Sequence, residues 1–243
     1  FELNTSLPLL NQTANNSNIL TPMASLRFNP GDMKDYSSSD RSINANSIFD
    51  INRLGIDDSF EEGKSLTVGL DYKKTKLNDI NKFFEARIAT VFRDKKEEFI
   101  PLTSGINDKD LNIFGSISNN LSEFTKISYD FIIDDDLNSL KYNSLKTSIT
   151  YKNFNTSFNF IERNGIIGDT NTLENNTKIK FNNSNYFSFA TRRNKKIDLT
   201  EYYDLIYEYK NDCLIAGIKY KKSYYEDRDL KPSENLLFSI TLS

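Results

Sequence analysis

The stretch "YDLIYEYKNDCLIAGIKY" (Tyr203–Tyr220) decides the fold. Counted in twos, Tyr203, Leu205, Tyr207 and Tyr209 fall on one side of an extended chain, and Asp204, Glu208 and Lys210 fall on the other. That is the period of a strand. After Asn211-Asp212 the alternation resumes, with Leu214, Ala216, Ile218 and Tyr220 on the first side and Lys219 and Lys221 on the second. Two such runs joined by turn-forming residues predict a β-hairpin, with the sole cysteine, Cys213, at its tight end.

The alternation recurs along most of the chain. Leu66, Val68, Leu70 and Tyr72 form one set; Ala86, Ile88, Thr90 and Phe92 another; Ile113, Gly115 and Ile117 a third. Further sets are Ile127 to Ile133, Leu145 to Tyr151, Phe154 to Phe160, Thr177 to Phe181, Phe187 to Thr191 and Leu236 to Leu242. With two weaker segments, Glu2 to Leu10 and Ile19 to Phe28, the count is about 13 strands, an odd number where single-chain bacterial barrels have an even one.

The connections sort by length. Short ones lie at Leu121 to Phe124, Lys152-Asn153, Asn182 to Asn185 and Asn211-Asp212. Long polar ones lie at Asn29 to Lys64, Asp94 to Leu111, Asp134 to Tyr142, Arg163 to Leu173, Arg193 to Glu201 and Ser223 to Ser233, with Lys73 to Phe83 intermediate. Regular exchange of tight turns and long loops predicts an all-β, antiparallel up-and-down transmembrane β-barrel. Segments of about nine residues suit tilted strands crossing a bilayer. Tyr72, Tyr151, Tyr209 and Tyr220 at strand ends suit interfacial girdles, although any one tyrosine is also simply a good strand former. Open edges beside lipid leave backbone groups unsatisfied at several kcal/mol each. The odd count therefore predicts a partial barrel, with further strands expected before Phe1.

Composition narrows the function. The 243 residues carry 31 basic and 34 acidic side chains, a net charge of −3, so there is no basic footprint for nucleic acid. Histidine and tryptophan are absent, which excludes His-based triads and HExxH metal sites. An enzyme is not expected, nor a cofactor or a metal. No apolar run reaches the roughly 18 residues of a membrane helix, and "FELNTSLPLL" lacks the pattern of a signal peptide. A mean hydropathy of −0.57 fits a soluble protein or an outer-membrane barrel, whose strands meet lipid at every second residue. "DDDLNSLKYNSL" (Asp134–Leu145) fails the calcium-loop pattern, with Ser139 in the glycine position and Leu145 in place of the bidentate glutamate. It reads as a solvated loop, as does "EDRD" (Glu226–Asp229). Pro22 and Pro30 are expected at the ends of a strand or at a rim.

Three segments, "LTPMASLRFNPGDM" (Leu20–Met33), "NSIFDINRLGIDDSFEEGKSLTVGLDY" (Asn46–Tyr72) and "YYDLIYEYKNDCLIAGIKYKKSYYEDRDLKPSENLLFSITL" (Tyr202–Leu242), resemble the C-terminal barrel region of the LPS-assembly protein LptD, in its alphaproteobacterial form. The resemblance is strongest in the last forty residues or so and weakest between about Asn107 and Thr200. It implies that residues 1–243 are the C-terminal part of one transmembrane barrel, whose N-terminal strands and periplasmic domain lie outside this sequence. The implied function is lipopolysaccharide assembly and translocation through a lateral gate into the outer leaflet of the bacterial outer membrane. The implied partners are lipopolysaccharide, a lipoprotein plug of the LptE kind and periplasmic bridge proteins.

The resemblance also implies roles for residues. Cys213 matches cysteines that pair with a periplasmic domain, although Leu214 stands where many relatives carry a second cysteine. A lone cysteine in an exported chain also reads as a free thiol. Asn235, Leu236, Leu237, Phe238, Ser239, Ile240, Thr241 and Leu242 form one side of the gate. On this strand Leu236, Phe238, Ile240 and Leu242 should face lipid, and Asn235, Leu237, Ser239 and Thr241 the lumen, where Leu237 is an anomaly. Arg192, Arg193, Lys195 and Lys196 are candidates for lipid A phosphate contacts, against the plainer reading of a solvated loop end. "DDSFEEG" (Asp57–Gly63) is expected to fold inward, with Arg53 paired to Asp57, Asp58 or Glu61. The rivals are a general porin or substrate-specific channel, with a charged constriction loop and no need of Cys213, and a soluble all-β binding module.

Overall fold

In the computed structural model, which describes residues 1–109, 111–164, 170–224 and 232–242, the chain is all β. The strands are β1 (Glu2–Ser6), β2 (Leu9–Gln12), β3 (Asn16–Asn29), β4 (Gly63–Lys76), β5 (Asp79–Arg93), β6 (Ile113–Ser122) and β7 (Thr125–Ile133). They continue as β8 (Leu140–Tyr151), β9 (Phe154–Arg163), β10 (Thr170–Lys180), β11 (Asn185–Asn194), β12 (Leu199–Lys210), β13 (Leu214–Ser223) and β14 (Ser233–Leu242). A 3-10 turn at Leu102–Ser104 is the single helical element among the described residues. Strands pair antiparallel in the order β1-β3-β4 through to β14, with β2 beside β1 on β3. Among the described residues no helix is long and apolar enough to cross a membrane.

Fourteen strands replace the expected 13 or so because the first segment is broken. Ser6 pairs with Met23 and Leu9 with Leu20, so β1 and β2 lie end to end on β3 and the break at Leu7-Pro8 faces Thr21-Pro22. Leu7 N–H donates to the Pro22 carbonyl at 3.1 Å, which directs Pro22 toward this row. Proline has no N–H to return the bond, so the ladder lapses there. Pro22 is thus inside β3, correcting its expected place at a strand end, while its other neighbour Leu70 keeps the β3–β4 register. The intermediate connection at Lys73 to Phe83 is also revised. The structure runs β4 and β5 on to a two-residue turn at Leu77-Asn78, with Lys73 opposite Glu85 and Thr75 opposite Phe83. With that change, short turns (13–15, 77–78, 123–124, 152–153, 181–184 and 211–213) alternate strictly with the remaining connections. The expected long loops at Asp134 to Tyr142 and Arg193 to Glu201 shorten to six and four residues, 134–139 and 195–198.

The chain divides into two compact units. The first contains Phe1–Glu123 and Ser128–Ser144 with Arg163 and Asn164, the second Phe124–Ile127, Leu145–Glu162 and Thr170–Ser243. In the first unit the register places Leu26, Leu66, Phe92, Leu70 and Ile88 on one face, and all are well exposed. The opposite face carries Ser25, Arg27, Ser65, Thr67, Ala89, Val91 and Arg93, and all are buried. What buries them is the segment 30–62, here called the strap, together with the loop 94–112. Met33, Ile43, Ala45, Ile48, Leu54 and Ile56 of the strap and Ile100 and Ile106 of the loop pack with Ala89, Val91, Phe114 and Ile132 as the hydrophobic core.

In the second unit the opening hairpin forms as expected: Leu205 pairs with Tyr220, Tyr207 with Ile218 and Tyr209 with Ala216. Leu236, Phe238 and Ile240 extend that apolar face on β14. The other face is charged, with Arg192 paired to Glu174 and Glu201 and Lys219 to Asp204.

Candidate functional site

The polar face of β3, β4 and β5 ends in a row of arginines that the strap closes over. Arg93 terminates its polar row on β5, Arg27 stands one polar position before the end of β3, and Arg53 comes down from the strap with its side chain 0 % exposed. Glu61, two residues before β4, lies among them. Arg53 Nε donates to Glu61 Oε2 at 2.7 Å and Nη2 to Oε1 at 2.5 Å, the bidentate fork a guanidinium makes with a carboxylate. Its remaining donors reach Thr67 Oγ1 at 2.9 Å, Ser65 Oγ at 3.0 Å and the Ile48 carbonyl at 3.4 Å. Arg93 also donates to Glu61 Oε1, and to the Glu62 carbonyl at 3.2 Å. Arg27 donates to the strap carbonyls of Asp50 and Ile51 and, at 3.1 Å, to Glu2 Oε1. Three guanidiniums therefore hold one strap carboxylate and four strap carbonyls.

The electrostatics follow from burial and charge. Burial by itself would push the Glu61 carboxyl up, but Arg53, Arg93 and Arg27 outweigh it and hold the group at about 2. Glu97, on the loop 94–112, moves the other way. Burial, helped by a hydrogen bond with Glu62, raises its carboxyl above the ordinary value despite Lys95 at 3.2 Å. Its side chain is 1 % exposed and sits where a side chain at position 63 would be: a Cβ on Gly63 would meet Glu97 Oε1 at 1.9 Å. Gly63 also has φ +86°, so the strap's return into β4 needs glycine for space and for backbone. Gly69 does the same under the strap, leaving room for the Phe49 ring 2.8 Å from its absent Cβ.

Of the three acids expected near Arg53, Glu61 is the partner; Asp58 pairs instead with Lys34 at 2.7 Å and accepts from Tyr36. Cys213 is an exposed free thiol in the β12–β13 turn, where Asn211 Oδ1 accepts the Cys213 and Leu214 N–H groups at 3.0 and 2.8 Å. Asn235 to Leu242 lie in β14, every residue of which is exposed. Its even residues Leu236 and Phe238 pair with apolar Tyr220 and Ile218, while Asn235 and Leu237 pair with Lys221 and Lys219. Leu237 is 56 % exposed on the polar face, and nothing in the structure explains it.

Arg192 and Arg193 end β11 rather than begin a loop. Arg192 lies 2.8 Å from Glu201, Arg193 pairs with Asp198, and Lys195 stands 5.3 Å over the Phe160 ring; Lys196 is in the turn itself. Both arginines already have carboxylate partners. Asp134 closes its own turn, accepting from Asn138 N and Ser139 N at 3.0 and 3.2 Å. The Glu226–Asp229 segment lies outside the described residues.

Arg27 and Arg93 were missed as part of the site. Their signal was parity, since each falls in the polar phase of its strand, at the end where a long connection begins.

Taken together, these features define an all-β protein with an antiparallel up-and-down sheet of the kind that walls β-barrels, one face of which, in the first unit, is covered by a strap locked by buried ion pairs. Comparison of the chain with protein-family models and with curated proteins finds no match.

Proposed function

We propose that this chain is part of an outer-membrane β-barrel that assembles and translocates lipopolysaccharide, passing it laterally into the outer leaflet. The observation that carries the membrane part is the two-faced sheet. In each unit one face of the sheet carries exposed apolar residues, Leu26, Leu66, Ile88 and Phe92 in the first and Tyr207, Ile218, Leu236 and Phe238 in the second, and the other carries side chains that are covered by the strap or ion-paired. Exposed apolar rows of this extent suit lipid and would be a liability in water. The lipopolysaccharide part rests on the resemblance of Leu20–Met33, Asn46–Tyr72 and Tyr202–Leu242 to the LptD family, and is supported by a wholly exposed β14 with one apolar face. A lipoprotein plug and periplasmic bridge proteins are the partners that go with it, and Cys213 is the candidate for a disulfide to a periplasmic domain. The alternative, a general porin or substrate-specific channel, calls for charges facing an open passage; in the first unit Arg53 and Arg93 are instead 0 and 1 % exposed.

A photo-crosslinking amino acid placed in cells at Asn235, Leu237 or Phe238 of the parent protein tests the reading. Crosslinks to lipopolysaccharide are expected at these positions and not at Lys126. A β14 that captures none, in a protein that reconstituted vesicles show to pass small solutes freely, overturns it in favour of a channel.

A further inference from the structure

A second feature of the first unit lies apart from the arginines that hold Glu61, although the strap lends it Ser42. Between the loop 94–112, the β7–β8 hairpin and Arg163 and Asn164 lies a cavity of about 210 Å³. We infer that this cavity binds a single acidic sugar residue, a saccharide unit bearing a carboxylate or a phosphate.

Its lining holds three cations, Lys96, Lys141 and Arg163, and one carboxylate, Asp108. Lys96 is 3.3 Å from Asp108, and Arg163 pairs with Asp40, whose side chain is 63 % exposed. Among the described residues Lys141 has no carboxylate within ion-pair distance; its ammonium donates to the neutral Asn112 Oδ1 at 2.7 Å. Asn112 cannot turn away, because its Nδ2 donates to the Gly105 carbonyl at 2.7 Å. One ammonium is thus held in place with donor capacity left over, beside two more cations whose partners sit on loops. That is an anion site of built geometry.

The rest of the lining exceeds what a bare anion needs. Asn107 and Asn164 supply amides, and Tyr142 supplies a ring that Arg163 overlies at 5.8 Å. Amides beside an aromatic wall suit the hydroxyls and C–H face of a sugar ring. The volume is below the roughly 300 Å³ at which drug-sized sites begin, which suits one ring.

The test uses the parent protein in detergent micelles, titrated calorimetrically with D-galacturonate and glucose 6-phosphate, against D-galactose, D-glucose and inorganic phosphate. Both acidic sugars should bind at least tenfold more tightly than either neutral sugar and than phosphate. Lys141→Gln should remove at least that tenfold, as loss of one charge-assisted hydrogen bond does, while Lys126→Gln, on β7 outside the cavity, changes nothing. If Lys141→Gln misfolds, salt serves instead: raising it to about 1 M should weaken acidic-sugar binding and leave neutral-sugar binding alone. Presenting the same acidic sugar on a lipid within the micelle separates sources, with tighter binding marking a glycolipid headgroup and equal binding a free sugar. Phosphate binding as tightly as the sugar phosphate, neutral sugars matching the acidic ones, or no probe binding at all would each overturn the inference.

Discussion

Replacing Glu61 with glutamine should release the strap. The carboxylate is held at about 2 against an ordinary 4.5, a difference of about 2.5, and each pH unit corresponds to about 1.4 kcal/mol, so its charge contributes about 3 kcal/mol at neutral pH. Glutamine keeps the shape and loses the charge, leaving Arg53, Arg93 and Arg27 close together without the carboxylate that sits among them. Opening of the strap alone should therefore become easier by up to about two powers of ten. Trypsin at pH 8 reads this directly through cleavage after Arg53, whose side chain on the strap is 0 % exposed and is reached only when the strap lifts. The sign with pH is fixed: a depressed carboxyl stabilises above its unfolded value and loses that contribution as pH falls from about 4.5 to about 2. Pepsin digestion near pH 2 should therefore find wild type and Glu61→Gln nearly alike. Equal trypsin rates at pH 8, or a gap that persists undiminished at pH 2, would show that Glu61 does not hold the strap.

Other substitutions test neighbouring parts of the argument. Gly63→Ala, which meets both φ +86° and the Glu97 carboxylate, should lower unfolding stability by at least about 2 kcal/mol, and a loss below about 0.5 kcal/mol would contradict the geometry. Glu97→Gln should raise the melting temperature at pH 8 and have little effect near pH 4, because a raised carboxyl favours the fold while protonated and opposes it as pH climbs past the ordinary value; a clear fall at pH 8 would refute this. On β14, Phe238→Arg should cost about 2 kcal/mol or more in lipid vesicles while Ser239→Arg, one residue on but on the polar face, costs less than about 1 kcal/mol. Equal costs would mean that the two faces do not meet different solvents.

Strands were readable wherever one face alternates cleanly, as at Leu66 to Tyr72 or Leu236 to Leu242, because parity alone separates the faces. The continuation of β4 and β5 past Lys73 was not, since "KKTKLNDINKFF" has no apolar phase and is paired by backbone bonds instead. The break at Leu7-Pro8 depends on which neighbour Pro22 faces, a fact of sheet position rather than of sequence. The core was the least visible element. Met33, Ile43, Ala45, Ile48, Leu54 and Ile56 follow neither period, because an irregular strap places each side chain by its own turns. Arg53 and its acidic partner were legible as a choice among three, settled by which acid lies nearest the polar rows of β4. The acidic-sugar cavity left no local trace, since its lining is drawn from four separated stretches of chain.

The strap lock also bears on the order in which the chain can fold. All its charged members, Glu2, Arg27, Arg53, Glu61 and Arg93, belong to the first 93 residues, and its hydrogen-bonded partners end at Ile106. Loop closure over such separations is entropically cheap compared with joining strands from opposite ends of the chain. The first five strands and their cover form a nearly self-contained nucleus, onto which later hairpins can be added one at a time, each presenting its edge to the next only briefly.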